Sequence, residues 1–265
     1  MMKSDITYKK KHISLGSYPD ESSALLARKE AALALGRRGL IPDRALPPGA
    51  IMLGVTGHLP EISDYDICTV LPFEKWVCLI NFRDNAIYSH NPIYLKKDYF
   101  EYWLSPDRCL KFSRDDLFYY SSHKISTRGG HLFVAEFGMQ TSIMSRYGIH
   151  SFSVAGRDYI FVNGDDTDLR YENIEVINHY RGVFFEETKK GPVYTVKIHI
   201  KGTVIVGRYP DEITAAIAYN KAADTLIAAG CKRNFETNYI DGISETAYRE
   251  IYQSTAINDV TVFLR

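Results

Sequence analysis

The sequence is short of several things that would settle its class at once. It has four cysteines in 265 residues, Cys68, Cys78, Cys109 and Cys231, and no Cys-x-x-Cys pair. That spacing excludes a zinc ribbon and a disulfide framework and leaves free, mostly buried thiols as the reading. No apolar run reaches the length of a membrane span, and the Met1-Met2-Lys3-Ser4 start lacks a signal peptide's apolar stretch, so no membrane partner and a cytoplasmic location are expected. No phosphate-binding glycine loop and no nucleophile motif occurs, and no cofactor is expected. Net charge is also missing, with 32 Lys and Arg against 32 Asp and Glu.

The zero hides an uneven distribution. Residues 1–40 carry 8 basic against 4 acidic side chains and residues 180–235 carry 9 against 5, whereas 41–179 carry 13 against 18. Two basic ends flank an acidic middle, a pattern that permits contact with a polyanion without establishing it. Aromatics are plentiful, with 19 Tyr and 13 Phe, which favours sheets.

The two basic ends are related. A shift of 191 residues lays Gly16–Leu35 over Gly207–Leu226 without a gap, and ten of twenty positions are identical. They are Gly16, Tyr18, Pro19, Asp20, Glu21, Ala24, Ala27, Ala31, Ala32 and Leu35, with their partners 191 residues on. Such density marks an internal repeat. In the second copy a strand, Val204-Ile205-Val206, ends at Gly207. Tyr-Pro-Asp-Glu then opens a helix, with proline in its first turn and two carboxylates favoured by the helix dipole. Ala215, Ala218, Ala222 and Ala223 give that helix a small-residue stripe able to lie close to a sheet, and Gly230 stops it.

Two more strands precede. Gly182–Phe185 leads to a Lys189-Lys190-Gly191-Pro192 turn, and Val193–Ile200 alternates, with Tyr194, Val196, Ile198 and Ile200 on one face and Thr195, Lys197 and His199 on the other. One sheet face is left polar. At the N-terminus, Ile6–Tyr8 and Ile13–Leu15 supply two strands around a basic Lys9-Lys10-Lys11 turn. Val260–Phe263 is the expected third strand there.

Tyr180-Arg181-Gly182-Val183, Thr195-Val196-Lys197-Ile198, Val206-Gly207-Arg208-Tyr209, the alanine helix and Arg233-Asn234-Phe235 together resemble the Apetala, or ethylene-response-factor, DNA-binding domain. The resemblance implies a three-stranded sheet laid in the major groove of double-stranded DNA. Carried over, the DNA-facing positions are Arg181, Phe184, Glu186, Lys197, His199, Lys201, Thr203 and Ile205, with Lys9, Lys10 and Lys11 in the first copy. With these cations engaged, the salt dependence of binding is expected at roughly −3 to −5 in log K per log salt.

The stretch Val162–Val176, with Asn163-Gly164-Asp165 and Asp168-Leu169-Arg170, resembles the loop of an HNH nuclease domain spanning 116–178, with leading strands Asp115–Tyr120 and His131–Val134. Its catalytic positions are apolar here. The expected histidine falls at Ile160-Phe161, the central asparagine at Leu169, and the Leu-His-Arg at Leu132-Phe133-Val134. No catalytic residue and no metal ligand is assigned. Asp158, Asp165, Asp166 and Asp168 are read as solvated turns, and His123, His131 and His150 match no metal-ligand spacing.

The remaining middle, 41–115, is unassigned. Pro42, Pro47-Pro48-Gly49 and Pro60 mark a linker. Val70-Leu71, Trp76–Ile80 and Ala86–Tyr88 read as strands, Asp98–Leu104 as a short helix or an aromatic strand, and Ser244–Tyr252 as a helix. The expectation is an α+β protein: a partial Apetala-like element at 1–40, a degenerate ββα HNH-like domain at 116–178, an Apetala-like domain at 179–240, and a helix and strand at 241–265. Its expected role is non-catalytic DNA binding, as a transcriptional regulator or a phage or mobile-element accessory factor. The alternatives are an HNH-family endonuclease with unrecognised catalytic residues and a protein-binding scaffold.

Overall fold

The computed structural model describes residues 1–37, 58–150 and 153–264. The chain is α+β and divides into two compact units, Met1–Ile143 with Asp165–Asn173, and Met144–Gly164 with Ile174–Arg265. The linker reading at Pro42 and Pro47-Pro48-Gly49 lies outside the described residues.

The first unit opens with β1 (Met2–Tyr8) and β2 (Lys11–Tyr18), an antiparallel pair. Lys9 and Lys10 make the two-residue turn with φ of 44° and 65°, the left-handed conformation such a hairpin requires. α1 (Glu21–Ala34) follows, its N-cap Asp20 accepting from Ser23 N–H at 2.7 Å. A 3₁₀ turn (Ile62–Ile67) and α2 (Phe73–Asn85) complete its helical part. Trp76–Ile80 is therefore helix, not strand. Trp76 to Phe82 are all buried, and an unbroken apolar run does not distinguish a buried strand from a helix enclosed on every side. Val70-Leu71 is not a strand either, because its N–H groups donate to the Glu30 carboxylate. Ala86 takes φ of 59° as the cap of α2, and Ala86–Tyr88, expected as a strand, is not one.

A meander of β3 (Ile93–Leu95), β4 (Tyr99–Ser105) and β5 (Arg108–Ser113) comes next, so Asp98–Leu104 resolves as the aromatic strand. Asp115–Tyr120, expected as a strand, is a 3₁₀ turn running into α3 (Leu117–Ser122), where Tyr120 packs on Phe100 and Phe112. β6 (Ile125–Arg128), β7 (His131–Glu136) and β8 (Met139–Ser142) form a second meander that includes the expected His131–Val134 strand.

The second unit contains the short pair β9 (Tyr159–Phe161) and β10 (Ile174–Val176). Its main sheet is β11 (Val183–Thr188), β12 (Gly191–His199) and β13 (Thr203–Tyr209), in that order and antiparallel throughout. α4 (Glu212–Ala228) covers one face, and Ala215, Ala218, Ala222 and Ala223 are fully buried. Those small side chains let Val196, Ile198 and Val206 meet the helix closely in one core.

α5 (Glu245–Ser254) follows as expected. The tail does not complete the N-terminal sheet. Asn258 N–H donates to Val206 O at 2.8 Å, Val260 is fully buried in the second unit's core, and Thr261–Leu264 is a 3₁₀ turn. A valine that closes one core is not available as a strand elsewhere. No helix among the described residues is long and apolar enough to cross a membrane.

Candidate nucleic-acid interface

The face of β11–β13 opposite α4 is set by strand alternation and by one irregularity. Phe184 pairs with Thr195, and Glu186 with Val193, so these four point away from the helix. On β12 and β13, Lys197 pairs with Ile205 and His199 with Thr203. A bulge then interrupts the ladder between Val196 and Lys197, and Val206 is its extra residue. Beyond the bulge the phase changes, so that Arg208, opposite Thr195, shares the outward face. Simple alternation from Thr203 and Ile205 points to Gly207 instead.

The expected residues fall out as follows. Lys197, His199, Thr203, Ile205, Phe184 and Glu186 are on the outward face, with His199 and Thr203 exposed and Ile205 45% exposed. Lys201 is exposed in the three-residue loop between β12 and β13. Arg181 precedes β11. Its guanidinium forms an ion pair with Glu236 and its N–H donates to Asn238 Oδ1 at 2.7 Å, so this cation is already engaged. Lys9, Lys10 and Lys11 belong to the other unit. There Lys9 donates to Arg83 O at 3.2 Å and Lys11 lies 5.1 Å from the centre of the Tyr88 ring, leaving Lys10 at the tip.

Two cations were not legible as part of the face. Arg208 is hidden by the bulge. Arg157 comes from the segment before β9, and its guanidinium carbon lies 5.1 Å from the centre of the Phe184 ring. Lys197 Nζ lies 4.8 Å from the same ring. Both distances fit attraction of a cation by an aromatic quadrupole.

The nuclease-like stretch is occupied by structural polar pairs. Asp168, 2% exposed at its side chain, holds Arg170 through two hydrogen bonds of 2.6 and 2.8 Å. Asp165 accepts from Thr167 Oγ1 at 2.6 Å and Lys111 Nζ at 3.1 Å, and these bonds hold its pKa down at about 2. Burial pushes the Asp158 carboxyl up, but hydrogen bonds from Arg157, Asn178 and Val154 outweigh it and leave the pKa below the usual range. A 3₁₀ turn (Tyr171–Asn173) and β10 stand where the resemblance places a helix. Residues 116–178 are also divided between the two units. Leu169 is buried, and among the described residues no three His, Cys, Asp or Glu side chains are grouped to hold a metal ion.

His123 stacks on Tyr119 and His150 Nε2 meets His179 O at 3.0 Å, so these two histidines are engaged locally. No family model matches the chain, and no curated protein or solved structure is similar to it at a significant level.

Proposed function

We propose that this chain binds double-stranded DNA, without catalysing a reaction on it, through the outward face of β11–β13. The observation that carries this reading is the concentration of cationic and donor side chains there. Lys197, His199, Lys201 and Arg208 stand on that face or at its rim, with Glu186 as the acidic side chain among them. A sheet with one face closed by an alanine helix and the other set with cations matches the chemistry of a duplex, whose phosphates dominate affinity. The same arrangement is what the Apetala-like resemblance implies, and a regulator or mobile-element accessory factor is the role that fits it.

Lys197, Lys201 and Arg208 give an expected salt dependence of about −3 in log K per log salt. Fluorescence anisotropy of the full chain on a labelled duplex across a salt series tests it. Replacing Lys197 and Arg208 together by alanine should shallow the slope by about 2. An unchanged slope would remove the site assignment.

A further inference from the structure

We propose that Arg157 and Lys197, both seated on the Phe184 ring, form a phosphate cradle that extends the sheet's DNA footprint onto the segment preceding β9. This rests on the DNA-binding reading of the sheet face and adds to it a contact from outside the three strands.

The guanidinium of Arg157 is held before any ligand arrives. Its Nε and Nη2 donate to Asp158, the shortest bond being 2.6 Å, while its central carbon lies 5.1 Å from the centre of the Phe184 ring. Asp158 is itself fixed. Its carboxylate accepts from Val154 N–H at 2.8 Å and Asn178 Nδ2 at 2.9 Å, and its carbonyl accepts from the N–H groups of Ile177 and Asn178. Asn178 in turn accepts from Phe185 N–H through Oδ1 at 2.8 Å, which ties the segment to the edge of β11.

The result is an arginine with one edge spent on a buried carboxylate and the other directed to solvent. Its side chain is 51% exposed, against 5% for Asp158. Nη1 makes no hydrogen bond within the described structure. A planar fork with a free edge suits a phosphodiester oxygen. Lys197 supplies a point charge at the same ring, so a phosphate above Phe184 meets a directional donor and a second cation together. Because the stem, ring and carboxylate are already ordered, little conformational entropy remains to be lost on binding.

The test uses the full chain on a labelled duplex across a salt series, with Arg157→Gln, Arg157→Lys and Phe184→Leu. Gln removes the charge yet still offers Asp158 a donor, and Lys keeps the charge but not the fork. The cradle predicts that Arg157→Gln shallows the salt slope by about 1. It predicts that Arg157→Lys keeps the slope while weakening affinity several-fold. Phe184→Leu should weaken affinity with the slope retained, because both cations lose their seat and neither is removed. A merely structural Arg157 would make the Gln and Lys variants behave alike, and that result overturns the proposal. An unchanged slope in Arg157→Gln, alongside a shallower one in the Lys197→Ala, Arg208→Ala variant, also overturns it while leaving the sheet-face reading intact. Absence of salt-dependent binding in the wild type removes that reading, and the cradle with it.

Discussion

In β1–β2–α1 and in β12–β13–α4 the chain builds one hairpin and helix twice. Met2 pairs with Tyr18, Lys3 with Ser17 and Ser4 with Gly16, and a bulge follows before Asp5 meets Ser14. In the other copy Tyr194 pairs with Tyr209, Thr195 with Arg208 and Val196 with Gly207, and the bulge precedes Lys197 opposite Ile205. The extra residues, Leu15 and Val206, are both buried, and Asp20 and Asp211 cap the two helices with the same side-chain bond. The hairpin loops differ by one residue, Lys9-Lys10 against Ile200-Lys201-Gly202. Their outward faces differ far more. Lys3 and Asp5 stand where the second copy has Thr195 and Lys197, and Ser17 where it has Arg208. The frame is shared and the cationic face belongs to one copy, which argues that the repeated residues specify a fold and the unrepeated ones its use.

A second difference lies on the helices. Glu30, fully buried on α1, accepts from the N–H groups of Thr69, Val70 and Leu71 and from the Thr69 hydroxyl. The position 191 residues on is Lys221, which donates to the carbonyls of Tyr252 and Thr255, each at 2.8 Å. One site thus anchors a flanking segment in both copies, with the sign of its charge set by whether that segment offers N–H or C=O. Exchanging the signs should break this most severely. Glu30→Lys buries a cation against donors and is expected to leave the first unit unfolded at ambient temperature, read by circular dichroism. Glu30→Ala, which strands three backbone donors, should cost about 3 kcal/mol in urea denaturation. Lys221→Met should cost less, about 1–2 kcal/mol, because its carbonyl partners are nearer to water.

The glycines before the two tyrosines sharpen the comparison at smaller scale. A side chain at Gly207 would overlap the Tyr209 hydroxyl, which donates to Ala256 O at 2.8 Å. At Gly16 there is room, the nearest atoms of Tyr18 lying 4.0 Å away, but φ is 120°. Both alanine variants should therefore destabilise, Gly207→Ala by dislodging a buried tyrosine and Gly16→Ala by about 1–2 kcal/mol of backbone strain. Only the first should loosen the tail at Ala256, which hydrogen exchange there would register.

Acid should weaken the first unit through one carboxylate. The folded pKa of Asp165 lies at about 2, below the ordinary 3.8. Its contribution is therefore complete above about pH 4 and is lost as the pH falls toward 2. Asp165→Asn should flatten the acid limb of the first unit's stability profile over that window. Least in size is the thiol prediction. Burial pushes the pKa values of Cys78 and Cys109 up to about 12, so both should react slowly with iodoacetamide at pH 8 in the folded protein and rapidly in urea.

The repeat was legible because its identical residues include those that cap the helix, terminate the strand and line the helix–sheet contact. The α+β class and the three strands of the second copy followed from alternation and turn residues. α2 was not legible, since a helix buried along seven consecutive residues shows no amphipathic period. Arg208 was lost to the bulge, because a phase change in pairing leaves no mark in a list of side chains. Arg181 was assigned to the face by the Apetala-like resemblance, whereas Glu236, far along the chain, claims it. Arg157 required the fold itself, which brings a separate segment to Phe184.

The most direct measurement is salt-dependent anisotropy on one duplex for the full chain, for Lys197→Ala with Arg208→Ala, and for Lys10→Ala in the first copy. A face confined to the second copy predicts a slope shallower by about 2 in the double variant and essentially unchanged in Lys10→Ala. Equal losses from the two copies, or no salt-dependent binding in the wild type, would contradict it.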